Sequence, residues 1–157
     1  MRAGSLQMDA VDQRIVALLV ADGRASYAEI GARVSLSAPA VKRRVDRLRA
    51  GGVIKGFTAV IEPAAVGWTT EAFVELFCTG RTTPAQITMA TRRHPEVVGA
   101  YTVSGQADAL VHLRAADISH LEQALERLRA EPFVTSTRSM VVLSRLVETP
   151  TPVLAPD

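Results

Sequence analysis

Apolar residues recur at spacings of three and four through the first third of the chain, and beyond it they alternate or form short runs. Val11, Ile15, Leu18 and Leu19 make one face of a helix that Asp9 can cap, that Asp12 supplies with negative charge in its first turn, and that Asp22-Gly23 stops. "SYAE", Ser26 to Glu29, is a capping box in which serine and glutamate each satisfy the other's backbone donor. It opens a short second helix with Ile30 and Val34 on one face. Leu36 is apolar inside the turn that follows, which predicts that it points inward. Ser37 is placed to cap a third helix, where Pro39 is tolerated because first-turn amides lack an intrahelical partner. Val41, Val45 and Leu48 form its buried stripe, and Gly51-Gly52 ends it.

"VIKGFTAVIEP", Val53 to Pro63, reads as a strand, so residues 1–62 have the element order of a winged helix-turn-helix. "EPAAVGWTT" has no clear period and holds Pro and Gly, which predicts a linker over 63–69. Residues 70–148 then give strands over 71–78, 97–105, 109–115 and 133–147, with helices over 83–94 and 117–130. Ile118, Leu121, Leu125 and Leu128 align on the last helix. The order βαββαβ predicts a ferredoxin-like domain, and the whole is an α+β fold of two domains. The Pro-rich residues 149–157 are expected to be a mobile tail.

Composition narrows the class. A hydrophobic fraction of 48% with 22% charged residues suits a folded chain with a real core. The longest apolar run, Ile15 to Ala21, is far short of the roughly 20 residues that cross a bilayer, and the N-terminus lacks a signal-peptide pattern. The single cysteine, Cys78, excludes an intrachain disulfide and fits a reducing, cytoplasmic setting. His94, His112 and His120 lack metal-ligand spacing, no catalytic constellation or phosphate-binding glycine loop is evident, and nothing calls for a metal or a cofactor.

Charge is unevenly placed. Residues 1–62 hold ten Lys/Arg against six Asp/Glu, while the remainder holds eight against ten. The excess concentrates in the third helix, where Asp46 is the only acid between Glu29 and Glu62. At about 100° per residue, a buried Val41/Val45/Leu48 side places Arg43 and Pro39 outward, Lys42 and Arg49 on one flank, and Arg44 and Arg47 on the other. Such a rim is either a solvated helix face or the surface of a helix that enters the major groove of double-stranded DNA. The motif favours DNA. On that reading Ser37, Ala38, Pro39, Lys42 and Arg43 form the groove-facing end, and Arg44 and Arg47 hold phosphates.

The stretch from "MDAVDQRIVALL" through "LSAPAVKRRVDRL" to "GVIKGF", followed by βαββαβ, resembles the Lrp/AsnC (feast/famine) transcriptional regulators over residues 8 to 148. "GQAD", Gly105 to Asp108, is similar to that family's Gly-x-x-Asp turn, and "VTSTRSMVVL" to its final strand. The resemblance implies a homodimer held through the C-terminal sheets, assembly into larger discs of dimers, and a small-molecule effector, an amino acid. It also implies that the effector's charged groups are held between dimers by Val103, Ser104, Gly105, Gln106, Ala107 and Asp108 with Thr137 and Ser139. A Gly-containing turn can offer amides to a carboxylate and Asp108 an acceptor to an ammonium. Equally, Gly105 and Asp108 can simply build a hairpin turn, with Thr137 and Ser139 as ordinary strand residues. Two other functions stay open: a siroheme-decarboxylase-like enzyme, which resembles the same two-domain plan, and a DNA-organising protein of low specificity.

Overall fold

A computed structural model describes residues 7–147, so the expected tail at 149–157 lies outside the described residues. The chain divides into two compact units between Val60 and Ile61.

The first unit is three helices, α1 (Ala10–Ala21), α2 (Tyr27–Val34) and α3 (Ala38–Ala50). Asp9 caps α1 through a reciprocal pair: its Oδ1 accepts from the Asp12 amide at 2.7 Å, and Asp12 Oδ2 accepts from the Asp9 amide at 3.2 Å. Ser26 and Glu29 do the same for α2. Ile15, Ile30, Val41 and Val45 form the core, and half-buried Leu36 packs on it from the turn, as its position predicts. Leu48 is fully buried as well. The turn between α2 and α3 is tight. Ser35 is left-handed at φ 57°, and the Ser35 and Leu36 amides both donate to the Gly31 carbonyl. A Cβ at Gly31 would lie 2.4 Å from the Leu36 carbonyl oxygen, so only glycine fits there.

The strand expected over Val53 to Pro63 does not form. Residues 55–62 are exposed and take no regular secondary structure, and none of the described strands pairs with them, so their backbone groups are left to water. A short 3-10 turn, Pro63–Val66, opens the second unit.

That unit contains β1 (Thr70–Cys78), α4 (Pro84–Thr91), β2 (Val97–Thr102), β3 (Ala109–Ala115), α5 (Ile118–Arg129) and β4 (Val134–Val141). The strands form one antiparallel sheet in the order β2-β3-β1-β4. Alternation puts Ala72, Val74 and Leu76 with Ala109, Val111, Leu113 and Ala115 on one face, packed against Ile87 of α4 and Leu121 and Leu128 of α5. The expected elements are all present, but β2 and β4 end earlier than 105 and 147. Ile118, assigned to the apolar stripe of α5, is 62% exposed at the first position of the helix, a turn short of the core.

Candidate functional site

The third helix carries its cations in two ways. Ser37 sits at the cap position, yet its hydroxyl makes no capping bond. The usual targets are taken or missing: Pro39 has no amide hydrogen, and the Ala40 amide already donates to the Ser37 carbonyl at 3.0 Å. Ser37 is exposed. Lys42 Nζ donates to Asp46 Oδ2 at 2.6 Å one turn on, an exposed pair that raises the Lys42 pKa through that hydrogen bond. Arg43 is exposed and has no ion pair among the described residues.

Arg44 and Arg47, expected to hold phosphates, are paired within the protein. Arg44 Nη1 donates to Asp9 Oδ2 at 2.7 Å and to Asp12 Oδ1 at 2.8 Å, while Arg47 Nη2 donates to Asp12 Oδ2. The Asp12 side chain is 0% exposed and those of Arg44 and Arg47 are 28% and 48% exposed. Both arginines are therefore ion-paired with acids at the start of α1. The hydrogen bond with Arg44 is also the main reason the Asp9 carboxyl lies below its usual range. Acids 32 to 35 positions earlier in the chain compensate the cluster, so a count restricted to the helix and its flanks misses them.

In the second unit, the turn from Val103 to Asp108 is exposed except at Ala107, and Gly105 adopts φ 127°, a conformation that favours glycine. Asp108 is anchored: its amide donates to the Leu76 carbonyl at 2.9 Å, and its Oδ2 accepts from the Cys78 amide at 2.7 Å. These bonds carry the β1–β3 ladder one step beyond the Leu76–Ala109 pair. Burial, with the Asp108 charge behind it, pushes the Cys78 thiol pKa up.

Thr137 and Ser139 lie opposite Leu76 and Val74 on the helix-covered side of the edge strand. Because Leu76 pairs with both Ala109 and Thr137, the turn and Thr137 stand on opposite sides of β1, about 10 Å apart at two strand spacings. One chain does not bring the two sets together. Arg129 Nε donates to Thr137 Oγ1 at 2.9 Å, a contact whose sequence signal is only a basic residue in the last turn of α5.

The other face of the sheet, which neither α4 nor α5 covers, carries a cluster that the sequence reading did not anticipate. Glu71 accepts from Arg145 Nε at 2.7 Å and pairs with His112 Nε2, whose ring stacks on Phe73 with centroids 4.6 Å apart. Burial raises the Glu71 pKa, but its bonds to Arg145 and His112 outweigh that and leave it below the usual carboxylate range. Met140 and Tyr101 are exposed on the same face, Arg138 pairs with Glu75 at 2.6 Å, and its guanidinium lies 5.6 Å from the Phe77 ring centroid. The remaining histidines each have a carboxylate neighbour: His120 Nε2 is 2.8 Å from Glu96, and His94 Nε2 is 3.5 Å from Glu131.

The family description "AsnC-type helix-turn-helix domain" matches residues 8–49, and "Lrp/AsnC ligand binding domain" matches residues 71–152. The chain belongs to the Lrp/AsnC family. Among its relatives in that family, the HTH-type transcriptional regulator Rv2324 of Mycobacterium tuberculosis is 54% identical over 142 residues, covering 90% of this chain and 96% of that protein. The HTH-type transcriptional regulator LrpA of the same organism is 36% identical over 137 residues, covering 87% and 91%. The fold agrees with the solved feast or famine regulatory protein Rv3291c of M. tuberculosis complexed with L-methionine, at a TM-score of 0.85 and 34% identity over 92% of this chain and 98% of that one. These Lrp/AsnC relatives are named as transcriptional regulators, and no described helix of this chain is long and apolar enough to cross a membrane.

Proposed function

We propose that this Lrp/AsnC protein is a sequence-specific DNA-binding regulator whose second domain senses an amino acid. The observation that carries the first half is α3: an exposed Arg43, without an ion pair among the described residues, beside Lys42 and a Ser37 hydroxyl that makes no capping bond at the helix start, where base edges are read. Ser37, Ala38, Pro39, Lys42 and Arg43 are the groove-facing set. The domain division at 1–62, 63–69 and 70–148 is kept with it.

For the sensing half, Val103 to Asp108 and Thr137 with Ser139 form parts of a pocket completed by a second dimer, a reading supported by their separation across β1. L-methionine, bound by the relative, is the first candidate. The helix-free sheet face, with Tyr101, Phe73, Phe77 and Met140, is the dimer surface, and dimers associate further. An effector shared between assembly states shifts DNA affinity only by its unequal affinity for those states, typically about 1 to 3 kcal/mol.

The test is selection of bound genomic fragments by the purified protein, with and without each candidate amino acid. A palindromic consensus that shifts in occupancy with one amino acid is expected. Uniform retention of all fragments would instead favour a DNA-organising protein, and retention of none would overturn the reading. On the selected operator, Arg43→Ala should weaken binding about 5- to 100-fold and relax preference at one base position, as judged by competition with point-mutated sites.

A further inference from the structure

The buried carboxylate of Asp12 has more partners than capping requires. It lies in α1, is closed to solvent, and spends both oxygens on arginines of α3, with Asp9 adding a second acceptor for Arg44. Charge accounting gives the consequence. Of the five cations of α3, Lys42 is paired with Asp46 and Arg44 and Arg47 are paired with α1, leaving Arg43 and Arg49 unpaired among the described residues.

We infer that Asp12 is a positioning residue for DNA recognition: it clamps Arg44 and Arg47 to α1, fixing α3 about its axis with Lys42 and Arg43 outward and withholding two cations from the phosphate backbone. The clamp trades affinity for discrimination. Cations on a flexible stem bind any phosphate, whatever the sequence, so two freed guanidinium groups raise affinity for every duplex alike. A helix held from behind by a buried carboxylate presents its outward residues in one orientation, which base readout needs and phosphate attraction does not.

The inference rests on the DNA-binding reading, and the measurements separate the two. Affinity is measured against salt on the selected operator and on a random duplex, with helicity and melting followed for each variant. Asp12→Asn should bind the random duplex more tightly at low salt, with a slope steeper by about one unit, at about 0.9 for the freed Arg47, since Asp9 still holds Arg44. Its preference for operator over random DNA should fall about tenfold or more. Arg44→Gln and Arg47→Gln keep a donor for Asp12 while removing charge, and each should leave the slope unchanged. The neutral combination D12N/R44Q/R47Q should return the slope to that of the native protein, and it decides the matter should D12N alone fail to fold. A slope that falls by about one unit in either glutamine variant would show the arginines already on phosphates and overturn the clamp. So would an Asp12→Asn protein with native slope and preference, or a neutral combination with either a changed slope or no fold. A native protein indifferent to all DNA overturns both readings.

Discussion

Arg43 and Arg44 are adjacent and chemically identical, yet among the described residues one has no ion pair and the other is bound twice. The helical wheel separates them correctly onto different faces, but it cannot say what stands opposite each face. That depends on Asp12, and contacts 32 and 35 residues apart leave no periodic trace. The exposure of these cations was therefore legible in the sequence, and their pairing was not. Gly31 is a second case. Its need arises from the approach of the Leu36 carbonyl five residues on, which a helix pattern does not announce. Gly31→Ala forces that carbonyl to move, because backbone cannot swing aside as a side chain does. A loss of about 1 to 3 kcal/mol is expected, read from the urea midpoint of the first unit, with the second unit's transition unmoved. An unchanged midpoint would mean that the turn can open without cost.

Elements whose signals are local were legible in full: the Asp9 and Ser26 caps, the Val41/Val45/Leu48 stripe and the alternation of β1 and β3 all appear where the pattern puts them. The apolar run after α3 was not. Phe57, Val60 and Ile61 have strand-like composition, but a ladder needs a neighbour, and none of the described strands supplies one. The same incompleteness marks the sheet, whose alternation correctly divides two faces although helices cover only one. On the dimer reading, Met140→Glu places a charge opposite Phe73 in the middle of the bare face. It should dissociate the assembly in sedimentation experiments at micromolar concentration while preserving the far-ultraviolet spectrum. Serine 136, near the end of the same strand and paired with Phe77, is the control position, where Ser136→Thr should leave the mass unchanged.

At the scale of the whole molecule, the second unit ties two largely buried acids to cations, and its stability should depend on pH. Glu96 is buried at the start of β2, where Oε1 accepts from Arg127 Nη2 at 2.5 Å and lies 2.8 Å from His120 Nε2, both on α5. Burial alone would raise its pKa; its own backbone amide, His120 and Arg127 together overcome that and lower it. Glu71 follows the same logic through Arg145 and His112. Since both carboxyls release their protons more readily folded than unfolded, each contributes stability above the ordinary value of 4.5 and loses it as pH falls through the folded value. The second unit should thus lose stability progressively below about pH 4.5. Trp68 is the chain's only tryptophan, and its ring lies 6.0 Å from that of His120, so its fluorescence reports this unit. Glu96→Gln should lower stability at pH 7 and flatten the dependence of the fluorescence-detected midpoint between pH 5 and 3, since one of the two titrating carboxyls is gone. Full retention of the native acid slope in Glu96→Gln and Glu71→Gln alike would place the acid sensitivity elsewhere and reduce both clusters to packing.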